Sequence, residues 1–240
     1  MRSRSAIIFI NHLTRMKEGF CCVAGVDAIT GKHVRPVLRG RNLSTGLLAR
    51  NGGPFDMAVT VQLDSIRPVP RAPEVEDHLF DPRKARALGS VKEDGFWRIL
   101  SRAAKSKLHD LFGPDLVGRG VASCAVDKSK GRASLGCLVP QSRPILLVRR
   151  ESEKEKIRMK VTDGEFYLDL GVTDIRLYQD DHVTPDNKVV GRVARQLASQ
   201  NDVILSVGLT RPFKGTEREP VHWLQVNNIH LKENPIWQLG

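Results

Sequence analysis

Four basic side chains near the front of the chain have the clearest chemical potential: His33, Arg35, Arg39 and Arg41. Guanidinium groups bind phosphate through paired hydrogen bonds and stack on nucleobases. Asn11 and Lys17 flank the first predicted loop, so we expect them at the same rim. The cluster predicts a phosphate-binding surface. The alternative for Arg35 is a structural salt bridge, with Asp27 across a hairpin as a candidate partner.

Two further groups of cations are candidates for contacts with phosphate. The first lies on a predicted helix and consists of Arg98, Arg102, Lys105 and Lys107. The second lies in a predicted turn and consists of Lys128, Lys130 and Arg132. Lysine-rich turns contact phosphates without reading sequence. Both groups also fit an ordinary solvated surface.

Catalytic patterns are weak in this chain. It has no G-x-x-x-x-G-K-[ST], G-x-S-x-G or H-E-x-x-H sequence. The stretches 76–78 and 180–182 each join acidic residues to a histidine and could bind Mg²⁺ or transfer protons, but both also fit surface loops. Asp174 is expected to cap a turn. The four cysteines form no C-x-x-C pair, so we predict free thiols. We assign no catalytic residue, no metal ligand and no cofactor from the sequence.

Charge is distributed unevenly along the 240 residues, whose net charge is +11. Residues 1–150 contain 26 Lys and Arg against 13 Asp and Glu, whereas residues 151–240 contain 12 against 14. Such a basic half attracts polyanions, of which nucleic acid is the commonest, and it makes binding sensitive to salt. Aromatic residues are scarce at 5%, which disfavours base stacking and favours contacts with the backbone, a duplex or a small nucleotide.

Short alternating segments predict a mainly β fold. The expected strands are 6–12, 21–29, 32–38, 57–66, 143–150, 156–162, 165–173, 203–209 and 221–231. Thr30 and Gly31 mark a turn between the second and third of them. One helix is predicted over 94–112, with Asp94 as N-cap, and a second over 187–199. The apolar run 6–10 reads as a first strand and not as a signal peptide, and no apolar run is long enough to span a bilayer.

The strands fall into two groups that follow a similar plan. About five short strands with an inserted helix suit a small barrel of the OB kind. We therefore predict two tandem OB-like β-barrels with one or two inserted α-helices, the first over 1–140 and the second over 141–240. One continuous β-sandwich is the alternative.

Several sequence elements resemble a known family. The chain has C-V-A-G at 22–25 followed by T-G-K-x-V-R-P at 30–36, then F-Y-L-D-L-G-V-T-D at 166–174 and V-I-L-S-V-G-L-T-R-P-F at 203–213. Together they resemble the dual OB-containing domain family of bacterial proteins. The resemblance spans about 6–232 and implies two tandem OB-like barrels with a role related to nucleic acid, in a bacterial defence or nucleic-acid modification system. The family usually has an aromatic residue where this chain has His33.

These observations lead to one expectation and two alternatives for function. We expect a cytoplasmic protein whose basic N-terminal face captures DNA or RNA through phosphates, with no membrane association. The first alternative is an enzyme that acts on nucleotides or nucleic acid, with 76–78 as its candidate centre. The second is an adaptor that binds other proteins of a multi-component defence system.

Overall fold

A computed structural model describes residues 4–16, 19–151 and 153–235. The first strands are β1 (Arg4–Arg15), β2 (Phe20–Asp27), β3 (His33–Val37), β4 (Leu43–Ser44), β5 (Val59–Pro68), β6 (Asp77–Leu79) and β7 (Ala85–Ser90). The middle elements are α1 (Glu93–Ala103), β8 (Ala104–Lys105), α2 (Leu108–Phe112), β9 (Val117–Arg119), β10 (Ser123–Asp127) and β11 (Leu135–Leu138). The last elements are β12 (Ile145–Glu151), β13 (Lys154–Thr162), β14 (Tyr167–Gly171), α3 (Asn187–Ser199), β15 (Val203–Leu209) and β16 (Val221–Leu231).

The first strands close a small barrel. β1, β2, β3, β6 and β5 are hydrogen-bonded in that order, and β5 pairs again with β1 to complete the ring. β3 and β6 run parallel, whereas β1 and β2 run antiparallel. Buried and partly exposed residues alternate along β5, so Val59, Val61 and Leu63 point into the core of the barrel. A closed five-stranded ring of this kind confirms the predicted OB-like barrel.

The hairpin of β2 and β3 forms as predicted. Gly31 takes a left-handed φ of +67° in the turn, which glycine adopts without steric cost. The Asp27 carboxylate accepts a hydrogen bond from the Thr30 N–H at 2.7 Å. Asp27 therefore stabilises the turn and is not the partner of Arg35. The alternative of a structural salt bridge for Arg35 is confirmed with Asp77 as its partner.

The second half contains two sheets and α3. β8, β11, β15, β16, β10 and β9 form one sheet in that order, and β12, β13 and β14 form the other. α3 packs against β12 and buries the side chains that its sequence pattern predicts: Val189, Val190, Val193 and Leu197. The predicted domain boundary at residue 140 stays a prediction. In the structure, the strands up to β7 belong to the sheet of the first barrel, and β8 is the first strand that belongs to another sheet.

The single helix predicted over 94–112 is wrong. α1 ends at Ala103, because Ala104 and Lys105 leave the helix to pair in parallel with β11. α2 then begins where the Leu108 N–H donates to the Asp163 carboxylate at 2.8 Å. Asp94 lies in the first turn of α1 and is not its N-cap. Within the described residues, no helix combines the length and the apolar character that crossing a bilayer requires.

The two halves meet along a seam, which we define as the boundary between the first barrel and the sheet that contains β16, and β1 contacts β16 there. The Asn228 side chain accepts from the Leu13 N–H at 2.8 Å and donates to the Leu13 carbonyl at 3.0 Å. The pairing registers skip one residue on each strand, Asn11 on β1 and Asn227 on β16. A β-bulge redirects a side chain, and both bulge residues make hydrogen bonds across the seam.

Candidate functional site

A cleft of about 280 Å³ opens along the seam. Its first-half lining is 14–16, 21–22, 35–38 and 41–43, and its second-half lining is 135, 173, 209–211, 225 and 227. We call it the seam cleft. Four arginines line it: Arg15, Arg35, Arg41 and Arg211. The cleft thus gathers cations from both halves, although the charge count predicted them from the front part alone.

Arg35 is held inside the cleft wall by Asp77. The parallel pairing of β3 and β6 places the two residues opposite each other, and Arg35 Nε lies 2.5 Å from Asp77 Oδ1. Only 4% of Arg35 is exposed, and its Nη2 is buried with no hydrogen-bond partner among the described residues. A buried donor without an acceptor is costly, so an acceptor that reached this nitrogen would relieve that cost.

Arg211 approaches the same carboxylate from the second half. Its Nη2 lies 3.0 Å from Asp77 Oδ2 and its Nη1 lies 2.6 Å from Glu74 Oε1. The Arg211 side chain is 51% exposed, so it faces the cleft opening. Arg41 is exposed on a loop, and it has no carboxylate partner in the part of the chain that the structure describes. Among the described residues, the cleft therefore keeps a positive excess, because two carboxylates lie against its four guanidinium groups.

Arg15 forms another wall of the cleft. Its guanidinium lies 4.1 Å from the centroid of the Tyr178 ring, and its Nη1 donates to the His182 carbonyl at 3.1 Å. The Arg15 Nε is buried with no hydrogen-bond partner among the described residues. The ring and the carbonyl orient the guanidinium, and no carboxylate of the described chain is paired with it.

Two of the predicted binding residues, Arg35 and Arg41, lie in the seam cleft. Asn11 is fully buried, contrary to the expected rim position, because the β1 bulge turns it toward the second half. His33 and Arg132 line a neighbouring cavity of about 620 Å³. Burial lowers the pKa of His33 to about 4. Arg39 is exposed on a loop, and Lys17 lies outside the described residues.

The other predicted cations lie away from the seam cleft. Arg98 and Arg102 are exposed on α1, and Lys105 is exposed on β8. Lys107 donates to the Asp163 carbonyl at 2.8 Å. Lys128 is exposed, and Lys130 pairs with Asp127 at 3.4 Å. None of these six lines the seam cleft. Their contact with nucleic acid stays a prediction.

The residues of the acidic stretch 76–78 make hydrogen bonds and ion pairs that stabilise the fold. The Glu76 carboxylate accepts from the Ser134 hydroxyl and N–H, both at 2.8 Å, and from the Leu135 N–H at 3.2 Å. Burial raises the pKa of Glu76, against the hydrogen bonds from Ser134 that lower it. His78 Nδ1 lies 2.8 Å from the Glu76 carbonyl. With Asp77 already paired to arginine, the geometry gives no support to a catalytic centre here.

The stretch 180–182 and Asp174 also have structural contacts. Arg50 lies 3.3 Å from the Asp180 carboxylate and contacts the His182 ring. Burial lowers the pKa of His182, and the Arg50 charge adds to this effect. Asp174 accepts from the Arg176 N–H at 3.2 Å, which confirms the predicted turn cap.

Sequence reasoning did not select two of the four cleft arginines, Arg15 and Arg211. Arg211 belongs to the half with no excess of positive charge, so the charge count did not indicate it as a binding residue. Its dipeptide Arg211-Pro212 repeats Arg35-Pro36 of the first half, but Arg-Pro also occurs at 67–68 and 143–144, so the dipeptide alone does not mark the site. Both arginines bind Asp77. No local signal marks Arg15, which follows the buried run of β1.

A second polar cluster lies beneath the cleft. His12, His33 and Cys137 bring one possible metal-ligating atom each within 4.8 Å of one another. Asn11 and Ser206 surround them, and Asn11 Nδ2 lies 3.3 Å from both Cys137 Sγ and Ser206 Oγ. Burial lowers the pKa of His12 well below its usual value and raises that of the Cys137 thiol to about 12.

Comparison with known proteins identifies the family of the chain. No curated protein matches it. A family model described as "Dual OB-containing domain" matches residues 12–229, which is most of the chain. The closed first barrel, the curled sheets of the second half and this match agree with the resemblance of the sequence elements at 22–36, 166–174 and 203–213. The protein therefore belongs to the dual OB-containing domain family.

Proposed function

We propose that the seam cleft binds the sugar-phosphate backbone of nucleic acid. The observation that carries the proposal is Arg35, a buried guanidinium that lines the cleft with its Nη2 unpartnered in the described chain. Arg15 contributes a second such nitrogen, and Arg41 and Arg211 add positive charge at the opening. Phosphate oxygens are the acceptors that such guanidinium groups bind best.

The small volume of the cleft favours a single strand over a duplex. Its volume of about 280 Å³ is near the lower limit of roughly 300–1,000 Å³ for small-molecule pockets. This is room for about one nucleotide unit. The described lining contains no aromatic side chain, so base stacking contributes little there. The expected mode is contact with the backbone, with weak dependence on sequence and strong dependence on salt.

Binding of labelled oligonucleotides tests the proposal. Fluorescence anisotropy is measured with single- and double-stranded DNA and RNA of one sequence, at 50 and 200 mM salt. Single strands should bind more tightly than duplexes. A variant with Arg41→Ala and Arg211→Ala should lose about tenfold in affinity. The slope of log affinity against log salt should fall by about 1.4, or about 0.7 for each lost contact with a single strand.

The matched control is a variant with Arg98→Ala and Arg102→Ala. It removes the same charge from exposed positions on α1, outside the cleft, and should stay within twofold of the wild type. Thermal unfolding of each variant checks that it is folded. Absence of binding by the wild type at low salt would exclude the proposal. An equal or larger loss of affinity in the control would indicate that the binding interface lies on α1 and not in the cleft.

The wider setting of this function is also part of the proposal. All four cysteines are free thiols in the structure, which supports a location in the reducing cytoplasm. A role in a bacterial defence or nucleic-acid modification system, with other proteins as partners, is compatible with a protein that captures nucleic acid. Co-purification that survives high salt and nuclease treatment would support the adaptor alternative instead.

A further inference from the structure

His12, His33 and Cys137 form a compact set of metal-ligating groups across the seam. They lie on β1, β3 and β11, so they join the first barrel to the second sheet. Their ligand atoms are all within 4.8 Å of one another, which places a common point no more than about 2.8 Å from each, against zinc–ligand distances of about 2.0–2.3 Å. Small side-chain rotations would therefore bring all three onto one ion.

The distance between two of the ligands is already close to what a metal requires. His33 Nε2 lies 3.9 Å from Cys137 Sγ. A tetrahedral zinc site separates an imidazole nitrogen from a thiolate sulfur by about 3.6 Å, which follows from its bond lengths. The two groups therefore need to approach each other by only a few tenths of an ångström.

His12 provides an independent sign that a ligand belongs here. It is 1% exposed, and its Nε2 is buried without a hydrogen-bond partner among the described residues. Buried polar atoms are rarely left in that state. Its Nδ1 lies 3.0 Å from the side-chain amide of Asn227. The amide nitrogen donates, so Nδ1 accepts and Nε2 carries the ring proton in this arrangement. Metal binding through Nε2 requires the other tautomer, with the Asn227 amide turned so that its oxygen accepts from Nδ1–H and holds the ring in position.

One neighbour of Cys137 suits a thiolate. Asn11 Nδ2 lies 3.3 Å from the sulfur, and Ser206 Oγ lies 4.0 Å from it. Asn11 can donate a hydrogen bond to a thiolate, whereas the single Ser206 hydroxyl proton is donated to the Asn11 carbonyl at 2.9 Å. The sulfur itself is fully buried, so a bare thiolate there would be costly. A bound cation would compensate that charge, and the thiol proton would leave to solvent on binding.

We propose that His12, His33 and Cys137 bind one thiophilic metal ion, Zn²⁺ or Cu⁺, which ties the two halves together. The mixed imidazole and thiolate set selects such ions over Mg²⁺ or Ca²⁺. With one thiolate, Cu⁺ gives a neutral three-ligand complex, whereas Zn²⁺ leaves a fourth position for water. No step of electron transfer is involved, and the site does not depend on nucleic-acid binding.

Metal titration of the full chain tests this proposal. The protein is first treated with a chelator and a thiol reductant. It is then titrated with Zn²⁺, with Co²⁺ as a spectroscopic substitute for zinc, and with Cu⁺ under anaerobic reducing conditions. We expect one equivalent of Zn²⁺ or Cu⁺ per chain, a near-ultraviolet thiolate band with Co²⁺, and a higher Tm for the metal-bound form.

Two pairs of variants locate the site. Cys137→Ser and His33→Gln should each lower metal affinity at least tenfold and abolish the rise in Tm. The matched controls are Cys124→Ser and His222→Gln, since Cys124 and His222 are also buried but lie outside the cluster. Both controls should bind like the wild type. Tm values in chelator show whether each variant folds, and the half-exposed His33 is the position most tolerant of change.

Two results would overturn the proposal. One is that neither Zn²⁺ nor Cu⁺ binds the wild type stoichiometrically. The other is that Cys137→Ser and His33→Gln both retain full affinity. Because the titrations contain no nucleic acid, their outcome is separate from that of the oligonucleotide assays.

Discussion

Arg35 and Asp77 are both buried at the seam, and their pairing is the contact on which the cleft depends. Only 4% of Arg35 and 7% of Asp77 are exposed. Removing one partner of a buried ion pair leaves the other charge without compensation, which typically costs several kcal/mol. Arg211 also binds Asp77 and therefore softens the loss when Arg35 is removed.

A double-mutant cycle measures this pairing. Asp77→Asn should lower the free energy of unfolding by about 3 kcal/mol, because it leaves the buried Arg35 unpaired. Arg35→Ala should lower it by less, because Arg211 still binds Asp77. The double variant should lose less than the sum, with a coupling energy of about 2 kcal/mol. The free energies come from urea unfolding at pH 7.

Arg83 provides the control for this cycle. It pairs with Asp81 at 3.0 Å but is 90% exposed, so Arg83→Ala should have no measurable effect on the midpoint of unfolding. Strictly additive losses in the Arg35 and Asp77 cycle would contradict a direct energetic coupling between the two side chains.

The break between α1 and α2 is the element-scale feature that local sequence did not predict. An apolar pattern of helical period continues through 94–112, yet Ala104 and Lys105 form the strand β8, which pairs with β11. Asp163 then begins α2 by accepting from the Leu108 N–H. The same carboxylate accepts from the Phe166 N–H at 2.8 Å and from the Glu165 N–H at 3.0 Å. One side chain thus supports both α2 and the turn between β13 and β14.

Asp163→Ala should destabilise both elements. We expect a loss of about 2 kcal/mol in the free energy of unfolding, because three backbone donors lose their acceptor. Burial raises the pKa of Asp163, but the backbone hydrogen bonds, with Leu108 first, outweigh it and keep that pKa below its usual value. A carboxyl with a lowered folded-state pKa stabilises the fold above its unfolded pKa, and this contribution is lost as pH falls through the folded pKa.

Urea unfolding at pH 7 and at pH 3 checks this prediction. The difference between the wild type and Asp163→Ala should be smaller at pH 3 than at pH 7. Asp110→Ala is the control, since Asp110 is exposed on α2, and it should change the free energy by less than about 0.5 kcal/mol. Equal effects of the two substitutions at pH 7 would refute the role given to Asp163.

At the scale of the whole molecule, the halves share a polar and well-connected boundary. The side chain of Asn228 bonds both backbone groups of Leu13. Glu76 of the first barrel accepts from Ser134 and Leu135 beside β11. The core of the first barrel also includes Cys137 and Ile204 from the second sheet. These contacts couple the stability of one half to that of the other.

The chain should therefore unfold in one cooperative transition. Scanning calorimetry should give a van't Hoff enthalpy equal to the calorimetric enthalpy. Asn228→Ala removes two buried hydrogen bonds and should lower the free energy of unfolding by about 2 kcal/mol, with the transition still single. The exposed Asn187 gives the control substitution Asn187→Ala, which should change little. Two separate transitions in the wild type would contradict this coupling.

Local sequence predicted the elements that depend on neighbouring residues. β15 and β16 have the predicted bounds, the hairpin at Thr30 and Gly31 forms, and α3 buries its four predicted apolar side chains. These features follow from the period of burial and from turn chemistry, both of which are local. The stretch 73–90 has no such period, and β6 and β7 within it were accordingly not predicted.

The sequence alone determined the mainly β class, the OB-like barrel and the family of this protein. Only the tertiary structure decided which side chains meet: Asp77 is 42 residues from Arg35 and 134 from Arg211, and His33 is 104 residues from Cys137. Periodic burial identifies a strand and its buried face but not the strand that will lie beside it. The seam cleft and the cluster beneath it exist because barrel closure and two bulges bring distant residues together.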